Sequence, residues 1–136
     1  MAQITEDYCS FETAKLLKEK GFDEETPVNY FVGDDKPRGC VVGEMIRHKR
    51  AEEDMHLIAC PTLWMAMKWL REVHHYYIQV MLDSWAYGGH SGYYVTIQKT
   101  NSEFEIMLAD KVNKVFYDNP EEAAEAAIKY ILENFI

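Results

Sequence analysis

No stretch of this chain stays apolar for the roughly 18 to 20 residues that a bilayer-spanning helix needs. Positive charge is also scarce. Fourteen Lys and Arg stand against 23 Asp and Glu, a net charge of -9 over 136 residues, which argues against general attraction to nucleic-acid phosphates or anionic lipid. Cysteine is limited to Cys9, Cys40 and Cys60. That odd number, without CxxC spacing, fits reduced and buried thiols better than a disulfide framework. The opening residues MAQITEDYCSFET lack the charged and apolar regions of a secretory leader, so a cytoplasmic location is expected. There is no internal repeat, low-complexity tract or linker to separate two domains, and 1–136 is read as a single α+β domain.

What the chain does have is apolar and aromatic bulk, at 48% and 13% of residues, enough to exclude disorder. The stretch from Cys60 to Leu82, CPTLWMAMKWLREVHHYYIQVML, organises the rest. Pro61 and Thr62 are helix-start residues, so a helix is predicted from Thr62. At 100° per residue Leu63, Ala66, Met67, Leu70 and Val73 share its buried face, Trp64 and Trp69 flank it, and Met65, Lys68, Glu72 and His75 point away. The pattern then becomes a β-rich run with Tyr76, Ile78, Val80 and Leu82 on one side. The helix is expected to pack on the sheet that this strand enters.

Ser10 can cap a helix from Phe11 to Lys20, with Ala14, Leu17 and Leu16 inward; Gly21 ends it and Phe22 folds back on the last turn. Val28 to Val32 reads as a strand, Gly33 to Gly39 as a turn, and Cys40 to Val42 as a return strand. Gly43 to Asp54 reads as a loop. Beyond the central strand, the Gly88, Gly89 and Gly92 loop leads to a strand from Tyr93 to Lys99. Phe104, Ile106 and Leu108 alternate inward on a third strand, which completes an antiparallel meander. An extended piece at Val115 to Tyr117 precedes a last helix with an explicit start: Asn119 as cap, Pro120 in first position, and Glu121 and Glu122 where the helix dipole favours carboxylates. Its buried stripe is Ala124, Ala127, Ile128, Ile131, Leu132 and Phe135. The fold class is therefore α+β, with an antiparallel sheet of about three to five strands and helices mainly on one face.

Three segments, SFETAKLLKEKGFDEETPVNYF at 10–31, ACPTLWMAMKWLREVH at 59–74 and YDNPEEAAEAAIKYILENFI at 117–136, together resemble a family of small uncharacterised proteins of gut Bacteroides-type bacteria and their phages and prophages. The resemblance implies a cytoplasmic protein in a phage or mobile-element setting. It implies no catalytic residue, and it does not extend to Val41–Asp54.

Several constellations could carry chemistry. His48, His56, His74, His75 and His90 with the cysteines supply enough zinc ligands, yet none has paired spacing, and adjacent His74 and His75 diverge by about 100° on a helix. No metal and no cofactor is expected. Gly88-Gly89-His90-Ser91-Gly92 resembles an anion cradle or a nucleophile with its base, but it leads into a strand, and a hairpin connection is the simpler reading. The order helix, three strands, helix is that of a double-stranded-RNA-binding domain, whereas Glu121, Glu122 and Glu125 stand where such domains carry basic residues. No nucleic-acid partner is expected.

Tyrosines are the unusual component. Tyr77 and Tyr94 fall on the sheet face opposite the inward residues, and Trp85 and Tyr87 lie in the loop between their strands. Aromatics gathered in this way suit a protein partner or a second copy of the chain, unless the N-terminal hairpin covers them. The function expected is that of a non-enzymatic accessory protein acting by protein contacts. An acidic nucleic-acid mimic directed at a host DNA-binding protein is the alternative. A small enzyme using His90 or the His74-His75 pair ranks last, and no catalytic residue is assigned.

Overall fold

Ser10 opens the first helix as expected, its Oγ accepting the Thr13 N–H at 3.2 Å. In the computed structural model, which describes residues 6–33, 36–46 and 57–136, with 27–33, 36–46 and 57 given as backbone, this helix, α1, spans Phe11–Glu19 and buries Thr13, Ala14 and Leu17. Its end is a Schellman stop. Gly21 sits at φ 95, the Phe22 N–H donates to the Leu17 carbonyl at 2.9 Å, and the Gly21 N–H donates to that of Lys18 at 3.2 Å.

By its internal contacts the chain falls into two compact units, Met1–Ala66 and Met67–Ile136. The first holds α1 and an antiparallel sheet in the order β2-β1-β3, where β1 is Thr26–Gly33, β2 is Lys36–Ile46 and β3 is Leu57–Ala59; α1 lies against β3. Two sequence expectations are corrected here. Strand β2 starts at Lys36, inside the segment read as a turn, and runs through Gly43 to Ile46, inside the segment read as a loop. Pairing decides this: Gly33 faces Lys36 and Thr26 faces Ile46, so the partner strand β1 carries β2 through residues whose composition alone suggests a loop. Pro37 is tolerated because β2 is an edge strand. The remainder of the segment read as a loop, 47–54, lies outside the described residues, as do His48 and His56. The Cys9 N–H donates to the Pro61 carbonyl and the Leu63 N–H to that of Asp7, which ties the N-terminal segment to the start of the central helix.

That helix, α2, spans Leu63–His74, and Thr62 caps it by accepting the Met65 N–H at 3.0 Å. Leu63, Ala66, Trp69 and Leu70 are buried. The predicted face is therefore rotated: Trp69 belongs to it, while Val73, expected inward, is 52% exposed. Val73 sits in the last turn, where the chain is already turning into the next element. A single residue in left-handed conformation, His75 at φ 65, makes the passage into β4.

The second unit is built on the expected meander of β4 (Tyr76–Asp83), β5 (Gly92–Lys99) and β6 (Glu105–Met107), all antiparallel. The last helix, α3 (Pro120–Asn134), lies against β4 and β5. Ile78, Val95 and Ile97 are buried from the sheet, and Ala124, Ala127, Ile128, Ile131 and Leu132 from the helix. Burying the Ile, Val and Leu side chains among them fully contributes about 1.5–3 kcal/mol each. Asn119 caps α3 by accepting the Glu122 N–H at 2.8 Å, with Pro120 in the first turn. Leu82 departs from expectation at 55% exposed, because it stands one residue from the end of β4. Leu108 is buried in a short 3-10 turn, Leu108–Asp110, and not in β6. Phe104 lies just before β6 and packs edge-on against Tyr76 and Phe135. The α+β class with a three-stranded antiparallel sheet and helical cover is thus what the structure shows. Among the described residues no helix is long and apolar enough to cross a membrane.

Candidate functional site

Register places the side chains of the open sheet face. Tyr77 pairs with Gln98, Gln79 with Thr96, and Met81 with Tyr94; Thr96 pairs in turn with Met107 and Gln98 with Glu105. Because neighbours along a strand alternate, these residues lie on the side opposite Ile78, Val95 and Ile97. Tyr77 is 41% exposed and Met107 is 40% exposed, while Tyr94 and Met81 are partly covered. The charged residues of this face are Glu105 and, at the end of β4, Asp83.

The β4–β5 connection extends this surface. Its first turn forms because the Asp83 carboxylate accepts the Trp85 N–H at 2.9 Å, and the Gly88 N–H then donates to the Trp85 carbonyl at 3.0 Å. Gly88 at φ 66 and Gly89 at φ 121 provide a backbone geometry that side chains disfavour. Trp85, 76% exposed, is left projecting from the turn. Tyr87, at 45% exposed, is held more firmly: its ring stands edge-on to Phe116, and Phe116 also meets Tyr94 edge-on at 6.4 Å. Its phenol is pushed above the ordinary tyrosine range by desolvation, then by the charge of Asp118 and the hydrogen bond to it, and by the charge of Glu122. Tyr117 anchors this corner from below by exchanging backbone hydrogen bonds with Tyr93.

All four sequence-predicted surface residues, Tyr77, Trp85, Tyr87 and Tyr94, therefore belong to β4, β5 and the loop that joins them. Sequence reasoning did not single out Met107, Phe116 or Asp118. Met107 was legible in principle, since the period of two that sends Ile106 inward sends its neighbour outward. Phe116 had no local signal, as its role comes from the Tyr117–Tyr93 bridge.

Catalytic and metal-binding alternatives find little geometry. His90 and Ser91 are both exposed at the tip of the hairpin, and no hydrogen bond joins their side chains. His74 turns its ring edge-on to Trp69 at 4.6 Å, whereas His75 is exposed with its Nδ1 3.4 Å from Thr100 Oγ1. The Sγ of Cys60 lies 3.6 Å from the Cys9 carbonyl, and both residues are buried. Among the described residues no three His, Cys, Asp or Glu side chains gather around a common point.

The chain matches no protein-family model, no curated protein and no solved structure.

Proposed function

We propose that the chain is a non-enzymatic accessory protein that acts by protein–protein contact, with the open face of the β4-β5-β6 sheet and its β4–β5 loop as the contact surface. The observation that supports this is the exposure of Tyr77, Trp85, Tyr87 and Met107 on this face and its loop. Large amphipathic aromatics are the side chains that dominate interface energetics, because they bury much area while losing few rotatable bonds. The similarity of three segments to small phage and prophage proteins favours an accessory role of that type.

No particular geometry favours the other readings. An acidic nucleic-acid mimic needs carboxylates in uninterrupted rows, and here Lys129 stands 3.9 Å from Glu133 and Arg71 stands 3.2 Å from Glu72. A histidine-based enzyme needs a nucleophile and base within hydrogen-bond reach, and His90 and Ser91 make no such bond.

The test is comparative capture. The unaltered chain and a Tyr77→Ser, Trp85→Ser, Tyr87→Ser variant of unchanged circular dichroism are each immobilised and exposed to bacterial lysate, and retained proteins are identified by mass spectrometry. A protein held by the first and released by the second is the expected result. Identical sets from both would refute the assignment of the surface.

A further inference from the structure

Strand β4 is an edge of its sheet, and the direction of its free backbone groups can be worked out. Tyr93 spends both its N–H and its carbonyl on Tyr117, on the side of β5 away from β4. Tyr93 therefore shares no backbone hydrogen bond with its register partner Leu82. Antiparallel pairs alternate between bonded and non-bonded, so Tyr76, Ile78, Val80 and Leu82 all direct N–H and C=O away from β5. At the other end of the strand, the His75 carbonyl accepts the Thr100 N–H on the β5 side, as this alternation requires. Among the described residues no strand pairs with that outer edge.

Edges left open are normally guarded by a charge, a proline or a bulge. Tyr76 to Leu82 contains no charged residue, proline or glycine, and its register with β5 runs without a bulge.

We propose that this edge pairs with the same edge of a second copy, antiparallel and centred on Gln79, so that two sheets join into one. The proposal rests on the reading of this sheet as a contact surface and names one partner. Centred there, Tyr76 faces the second copy's Leu82 and Ile78 faces its Val80, so every outward N–H and C=O is satisfied. A shift of two residues either way leaves some unpaired. Side chains match in the same register: Gln79 meets Gln79, and Tyr77 meets Met81, a sulfur–aromatic contact. At the ends Asp83 comes opposite His75, a carboxylate against an imidazole, so no like charges oppose each other. The two-fold axis uses one surface twice, as closed dimers do.

Cysteine cross-linking and sedimentation equilibrium test the register. The Cα atoms of facing non-hydrogen-bonded residues stand about 4.5 Å apart, within disulfide reach. Gln79 is exposed, so its replacement leaves the monomer fold intact. The unaltered chain is expected to sediment as a dimer at about 100 μM, and Gln79→Lys, which sets two cations face to face, to weaken that dimer about tenfold or more. Gln79→Cys is expected to form a disulfide-linked dimer under mild oxidation well above the unaltered chain's background. Tyr77→Cys alone should not, but should link to Met81→Cys when the two variants are mixed. A dimer that is indifferent to Gln79→Lys, or that fails to cross-link at Gln79→Cys, overturns the edge register. A monomer overturns self-pairing altogether. If that monomer still captures a partner dependent on Tyr77, Trp85 and Tyr87, the contact-surface reading survives without it.

Discussion

The ring of Tyr87 meets that of Phe116 edge-on, with centroids 5.9 Å apart at 70°, and Gly92 is what lets them approach. A Cβ on Gly92 would stand 2.6 Å from the Cβ of Ala86 and 3.1 Å from both Phe116 Cβ and Tyr87 Cε2.

Gly92→Ala should therefore destabilise the second unit, although its backbone φ is one any residue can adopt. Overpacking of this kind costs about 1–3 kcal/mol, and it should loosen the Tyr87 loop. Urea denaturation measures the cost. A variant as stable as the unaltered chain would contradict the packing described at this corner.

Leu70 is fully buried in α2, whereas Met65 is partly exposed. Leu70→Ala should cost about 2–5 kcal/mol, and Met65→Ala distinctly less. Equal shifts of the unfolding midpoint would mean that the helix presents a different face.

The Asn119 side chain is the first-turn acceptor of α3. Asn119→Ala should lower stability by about 0.5–2 kcal/mol, and Asn119→Asp should retain most of the cap. Chemical denaturation of the pair separates a lost cap from a change in local charge.

His74 has its Nε2 out of contact with solvent and without a hydrogen-bond partner among the described residues. Burial, with a smaller contribution from the charge of His75, lowers its pKa from the ordinary 6.5. The folded chain therefore resists a proton that the unfolded chain accepts. The stability this group contributes is present above pH 6.5 and is lost as pH falls through the lowered value. His74→Phe, which keeps an aromatic ring against Trp69, should flatten the decline in unfolding midpoint between neutral and mildly acidic pH. A decline of unchanged steepness would assign the acid sensitivity to other groups.

What the sequence made legible was local. Asn119, Pro120 and two glutamates define a helix start through groups that sit next to one another, and Gly21 with Phe22 defines a stop in the same way; both stand as expected. Alternation placed Tyr77 and Tyr94 on one face because a period of two needs no knowledge of the partner strand. The misses occur where a distant residue decides. Gly43 to Ile46 becomes strand because it lies beside β1. Val73 and Leu82 obey the right period but stand near element ends, where the cover has run out. Phe116 joins the candidate surface through a bridge made by its neighbour to a strand more than twenty residues earlier.

The junction at His75 sets different tolerances for inserted and deleted residues along the chain. Helix α2 gives way to β4 within that one residue, so a residue added or removed there would transfer Tyr76, Ile78 and Val80 to the opposite side of the sheet while the helix stayed in place. The turn between Ser84 and Ser91 has no such constraint, because its exposed tip can lengthen without changing the strand pairing on either side. Length variation among natural relatives of this chain should therefore collect between β4 and β5, beside the aromatic surface, and be absent between α2 and β4.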